Sequence, residues 1–296
     1  MGAENIVNEG DKGAISLMIG VTPKEICSWL RRPIQSTNRR TLMSREAGTH
    51  RNWFDQGGKA YSRFRPEYPP ELARFLAAAS PGKALAVDVG CGNGQLTTQL
   101  AAHFDKVLGA DPSADQIANA VAHPHVEYVC ASAEKLPVAD HSADLITAAQ
   151  AAHWFDLPRF YDEVRRVGTP HAVLALVSYG VLRLDADLDS RFSRFYWNEI
   201  GPYWPAERKL VDSGYVELPF PFEEQASPPL EIRKTWNLEE LLGYISTWSA
   251  VRGVREAARE DILQNFAADL TALWGDPSRS RQVSWPINMR LGTLSL

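Results

Sequence analysis

Cysteine is scarce in this chain of 296 residues: three occur, Cys27, Cys91 and Cys130, and no two form a C-x-x-C pair. That excludes a disulfide framework and a paired-cysteine zinc site, and it suits a reducing cytoplasm. Long apolar runs are missing as well. The best candidate, residues 14–21, falls far below the roughly 18 residues a membrane span requires. The residues before it (Glu4, Glu9, Asp11, Lys12) are net acidic, unlike the start of a signal peptide. Ile at position 6 breaks the myristoylation pattern that Gly2 would begin. Basic excess is absent too: 31 Lys and Arg stand against 36 Asp and Glu, a net charge of −5, which lacks the electrostatic footprint of a nucleic-acid binder. No internal repeat, low-complexity tract or metal-ligand spacing is found, and His123 and His125 flank Pro124 in a polar turn.

What is present is a core and a motif. Hydrophobic residues make up 45% of the chain, enough for one large domain or one domain with an elaborate insertion. Residues 84–89 form a short apolar run that ends in three glycines, Gly90, Gly92 and Gly94. Leu96, Leu100 and Phe104 then recur every four residues. The pattern predicts a buried strand, a tight glycine turn and a helix over about 94–104. Glycine lets the backbone turn sharply and lets a ligand lie against it, and a helix N-terminus adds free N–H groups. A dinucleotide site would read G-x-G-x-x-G, whereas here the spacing is G-x-G-x-G, with Gln95 in the last place. Residues 107–111 read as a second strand that ends in an acid, Asp111.

Together the residues Val87-Asp-Val-Gly-Cys-Gly-Asn-Gly94 and Asp111 resemble the class I S-adenosylmethionine-dependent methyltransferases. The resemblance covers roughly residues 50–291. It implies an α/β fold: a Rossmann-like, seven-stranded, mostly parallel sheet with helices on both faces, its last strand antiparallel, and a helical cap inserted after strand five. It implies S-adenosyl-L-methionine as cofactor, with Asp88, Gly90, Cys91, Gly92 and Gly94 in the first motif. Asp111 would take the ribose, with Pro112 beside it. The residue after strand three often binds adenine and is commonly Asp; here Ser132 stands there, and the backbone of Ala133 and Glu134 can share the task.

Residues 1–50 read as an N-terminal extension with scattered charge and no clear period, and residues 51–296 as the methyltransferase domain. The string from Tyr61 to Pro69, Tyr-Ser-Arg-Phe-Arg-Pro-Glu-Tyr-Pro, resembles that of trans-aconitate methyltransferase-like proteins. Tyr61 and Arg65 would there close over the methionine end of the cofactor, or pin a lid to the core. Further strands are expected at 106–110, 126–130, 145–149 and 171–179, and helices from Ser113, a good N-cap, and over 158–167. The stretch Gln150-Ala-Ala-His-Trp-Phe follows strand four, at the carboxyl ends of the strands where ligands bind in open α/β sheets. Gln150 is expected to face the cofactor. His153 reads either as a base or substrate orienter, or as a hydrogen-bonded structural histidine.

Residues 181–230 are aromatic-rich and carry Arg183, Arg191, Arg194, Arg208 and Lys209. They are expected to form a cap over an organic substrate, with Trp154, Tyr196 and Trp204 as substrate contacts beside His153. Beyond them a strand is expected at 231–236, a helix opened by a capping-box pair, Asn237 and Glu240, a second helix through Ile262, Phe266 and Leu270, and a last strand at 284–291.

The chain thus reads as a cytoplasmic methyltransferase, a monomer or homodimer, with a small-molecule acceptor and no nucleic-acid, membrane or metal partner. A carboxylic acid giving a methyl ester is one acceptor class; a hydroxyl or amine of a natural product is another. A non-catalytic S-adenosylmethionine-binding protein and a nicotinamide-dependent oxidoreductase are the readings from other classes.

Overall fold

The computed structural model describes residues 66–295. The N-terminal extension, Cys27, Tyr61 and Arg65 lie outside the described residues.

Helix α1 (Pro70–Ala79) starts with Pro70 in its first turn, where a missing N–H costs nothing, and it buries Leu72, Ala73, Leu76 and Ala77 as one stripe. Five parallel strands follow: β1 (Leu85–Val89), β2 (Lys106–Asp111), β3 (Val126–Cys130), β4 (Ala143–Ala149) and β5 (Gly168–Tyr179). Their spatial order is β3-β2-β1-β4-β5. The chain therefore reverses direction across the sheet between β1 and β4, the switch point where such sheets open a crevice. Helices α2 (Gln95–Leu100), α3 (Ala114–Ala118, capped by Ser113) and α4 (Leu157–Val167, capped by Asp156) connect them.

The strands are buried on both faces, so alternate residues serve two cores. Ala86, Val173, Ala175 and Val177 face one core, with α1 and α2. Val87, Val89, Leu174 and Leu176 face the other, with Phe160 and Val164 of α4.

After β5 come α5 (Ala186–Ser193), a π-helical turn (Arg194–Glu199) and α6 (Arg208–Asp212). Two strands, β6 (Glu223–Gln225) and β7 (Leu230–Trp236), and three helices, α7 (Leu238–Ser246), α8 (Ser249–Glu256) and α9 (Glu260–Trp274), lead to β8 (Arg281–Thr293). Strand β8 lies antiparallel to β5 and also pairs with β6 and β7. The sheet is mostly parallel, as expected, but has eight strands rather than seven. The added one, β6, is three exposed polar residues with no alternation to reveal it. Helix α2 stops at Leu100 because the chain then tightens into a turn, in which His103 and Phe104 both donate to the Leu100 carbonyl. Phe104 still reaches the core. Helix α8 lies between the two helices that the sequence pattern predicts.

The cap crosses the carboxyl edge of the sheet. Its first half, with Phe192, Phe195 and Ile200, belongs to the core shared with α7, α8 and α9. Its second half places Val211, Tyr215 and Leu218 in the opposite core. The expected aromatic lining is therefore largely the cap's own interior: Phe195 stacks on Phe266 of α9 with ring centroids 3.7 Å apart. Arg191 is likewise committed, to Glu199 and Asp269, and Arg194 to Glu199.

The capping box forms as expected: the Glu240 N–H donates to Asn237 Oδ1 (3.0 Å) and the Asn237 N–H to Glu240 Oε2 (2.9 Å). Asn237→Ala is expected to cost about 1 kcal/mol. Urea unfolding should show a lower midpoint at unchanged slope, and Asn237→Asp should restore it.

Candidate active site

The three glycines of the turn have φ values of +69°, +56° and +91° (Gly90, Gly92, Gly94), a region that side chains disfavour. Two are fixed by packing. A Cβ on Gly90 would lie 2.4 Å from the Ala151 Cβ, and one on Gly94 would lie 2.0 Å from the Tyr128 hydroxyl. Gly92 differs: a Cβ there would meet Gln116 Oε1 at 3.7 Å and no other atom within 4 Å. It presents bare backbone to the cleft, a cradle that a side chain would fill.

Asp111, at the end of β2, stands beside that cradle. Its Oδ2 accepts the Gly92 N–H (2.9 Å) and its Oδ1 the Ser113 N–H (2.8 Å). A carboxylate offers two oxygens with two lone pairs each, the acceptor set that a vicinal diol calls for. Pro112 and Ser132 are exposed at the adjoining strand ends, and Ala133 is buried. The Glu134 side chain instead accepts the Asp156 N–H before α4 (3.1 Å). Bare backbone, a ribose acceptor and exposed strand ends together fit an adenosyl cofactor.

Asp88 is a correction. The sequence puts it among the cofactor contacts, but its side chain lies under the turn and is 1% exposed. Thr97 of α2 donates to one oxygen (2.6 Å) and Thr147 of β4 to the other (2.8 Å). Burial raises its pKa to about 6, against the lowering effect of those two hydroxyls. Burial and the nearby Asp88 and Asp111 push the Cys91 thiol up, so it stays protonated and is no nucleophile.

The other wall begins at Gln150, whose φ of +57° is unusual for a residue with a side chain. Its N–H donates to the Val177 carbonyl and its Nε2 to the Tyr179 carbonyl, so β5 holds both ends. The bond from Nε2 fixes the side chain that the sequence assigns to the cofactor side. His153 and Trp154 follow in a 3₁₀ turn (Ala152–Trp154), both half-buried. His153 Nδ1 lies 2.8 Å from the hydroxyl of Tyr215, a fully buried residue that the sequence gave no reason to pair with it. Burial, and next the Arg208 charge, lower the His153 pKa to about 3. The imidazole is neutral at physiological pH.

Tyr196 is a second correction. It is 1% exposed, and its hydroxyl donates to Asp212 Oδ1 (2.8 Å), so it supports the site from behind. Trp204 is half-buried beneath Arg208, whose guanidinium lies 4.8 Å from the ring centroid. Among the described residues no group of three or more His, Cys, Asp or Glu is placed to hold a metal, and no helix is long and apolar enough to cross a membrane.

A family model described as a methyltransferase domain matches residues 87–176, the stretch from β1 through β5 that holds both walls of this cleft. A candidate methyltransferase of Dictyostelium discoideum is 36% identical over 246 residues, covering 80% of this chain and 93% of that protein. The chain belongs to the class I S-adenosylmethionine-dependent methyltransferases. The solved structure of a candidate type II methyltransferase from Anaeromyxobacter dehalogenans is 45% identical, with a TM-score of 0.75, covering 78% of this chain and 99% of that one. An uncharacterised Mycobacterium tuberculosis methyltransferase is 39% identical over 119 residues, 40% of this chain and 48% of that protein. S-adenosylmethionine is the cofactor of this methyltransferase, and the turn, Asp111 and the β3 end are the part of the chain suited to it.

Two outcomes are expected. Asp111→Asn should weaken S-adenosylhomocysteine binding about 10- to 100-fold by calorimetry, the scale of lost charge-assisted hydrogen bonds. Asp111→Ala should in addition lower the melting temperature, since it leaves two N–H donors without their acceptor. Asp88 carries a pKa above its unfolded value of 3.8, so the folded state binds its proton more tightly. Its contribution to stability therefore falls as pH rises from about 4 to 6, by about 3 kcal/mol. Asp88→Asn should flatten that part of the stability–pH curve in urea titrations.

Proposed function

We propose that this methyltransferase acts on a small organic molecule, and that the acceptor atom is a carboxylate oxygen, giving a methyl ester. One observation carries the proposal: the side chain best placed to take a proton, His153, is held neutral with a pKa of about 3. A group so weakly basic takes no proton from a hydroxyl or ammonium at neutral pH. A carboxylic acid has already lost its proton there.

The bound cofactor supplies an electrophilic methyl group on a sulfonium. A carboxylate oxygen forms the new O–C bond as the S–C bond breaks, the electron pair stays on sulfur, and no proton moves. The protein's task is then alignment and dryness. In this reading Asp111 holds the ribose, the Gly92 backbone lies along the methionine side, and Ser132 and Ala133 border the adenine. Gln150, locked to β5, fixes the wall from which His153 and Trp154 meet the acceptor, and Trp204 closes the cap side. The resemblance of Tyr61–Pro69 and of His153-Trp154-Phe155 to trans-aconitate methyltransferase-like proteins supports the same acceptor class. The acidic net charge of −5 supports a small acceptor over nucleic acid. Scarce cysteine supports a cytoplasmic setting.

The test is methyl transfer from S-adenosylmethionine to a panel of carboxylic acids, amines and alcohols, with products read by mass spectrometry. Esters are expected, with kcat level between about pH 7 and 9, because His153 stays neutral throughout that range. A kcat that falls below pH 7 with unit slope, or transfer confined to amines and alcohols, would overturn the ester reading.

A further inference from the structure

Arg208 is held at one nitrogen and open at two. Its Nε donates to Asp212 Oδ1 (2.9 Å) and to the Tyr196 hydroxyl (3.0 Å). Its plane lies over Trp204, and its side chain is 20% exposed. Nη1 and Nη2 have no hydrogen-bond partner among the described residues, yet neither is sealed from solvent. A guanidinium in a structural ion pair usually spends its fork on the carboxylate. Here the carboxylate takes the inner edge, and the outer edge keeps its donors.

Helix α6 packs against the 152–154 turn, and the Arg208 charge is felt at both His153 and Tyr215. Tyr215 keeps its phenolic proton, since burial pushes its pKa up. In the tautomer where that hydroxyl donates to Nδ1 (2.8 Å), the ring proton sits on Nε2. The cap thus brings a guanidinium with two open nitrogens onto the helix that packs against the β4 loop.

We propose that Arg208 is the specificity-determining residue of the acceptor site: Nη1 and Nη2, with the His153 Nε2–H beside them, hold an anionic group of the methyl acceptor. Asp212 and Tyr196 are positioning residues that aim the fork. One N–H per oxygen leaves each carboxylate oxygen a lone pair for attack. If the group so held is the one methylated, the ester loses its charge and with it the pull of Arg208, which favours release of product over rebinding. This inference rests on the cleft being the acceptor site.

The experiment is calorimetric titration of S-adenosylhomocysteine-saturated protein with carboxylic acids of four to ten carbons and their matched amides. Native protein is expected to bind at least one acid ten-fold or more tightly than its amide. Arg208→Lys should reduce acid binding about 10- to 100-fold, the range for a lost bidentate contact. Arg208→Gln should abolish the difference between acid and amide. Arg208→Lys keeps the charge beside Asp212 and should hold its melting temperature and S-adenosylhomocysteine affinity, so a folding defect in Arg208→Gln does not decide the matter. Equal binding of acids and amides by native protein, or acid binding unchanged in Arg208→Lys, would overturn the role of Arg208. Arg208-dependent acid binding without ester on adding S-adenosylmethionine would overturn the ester reading and leave Arg208 in place.

Discussion

A single buried carboxylate sets the geometry on which the cleft depends. Asp88 joins three elements: it belongs to β1, it accepts from Thr97 on the helix after the glycine turn, and it accepts from Thr147 on β4. Without those hydroxyls a carboxylate in that place would be an unpaired buried acceptor, which proteins avoid. With them, the turn after β1 and the strand that ends in Gln150 are held in one register. The close approach of Gly90 to Ala151 follows from this, since the two loops meet where the sheet reverses direction. The glycine turn and the loop after β4 are adjacent because the same residue ties their elements together.

The second organising device is electrostatic restraint on the side of the cleft proposed for the acceptor. His153 is half-buried and set near a cation, and both lower its basicity. Arg208 is stacked and tethered, and tethering fixes direction as well as charge. A site built of oriented donors suits a reaction whose nucleophile arrives ionised. It ill suits one that must first remove a proton.

Much of the fold was legible because its signals are local. The apolar run before three glycines, the acid at the end of β2, the Ser113 cap and the Asn237–Glu240 box each lie within a few residues of what they specify. The misses are long-range. Nothing near Asp88 says that its partners are Thr97 and Thr147, and nothing near Tyr196 says that its hydroxyl is spent on Asp212 rather than on a ligand. Arg208 looked like its four basic neighbours in the cap. Only the packing separates it from Arg191, which is occupied on both sides by acids. Tyr215 sits at a positive φ directly after Gly214, a backbone choice made by the cap's path and not by its own side chain. Strand β6 has no hydrophobic pattern, and pairing with β8 alone defines it.

The cap lies astride the edge of the sheet, with Tyr196 in one core and Tyr215 in the other, and Arg208 and Asp212 between them. Such a bridge limits how acceptor preference can diverge. Exchange of the segment through Glu199 alone would set a foreign surface against Arg208, and exchange of the segment after Tyr203 alone would orphan Tyr196. Grafting either segment alone would break the Tyr196–Asp212–Arg208 link that ties the two cores together.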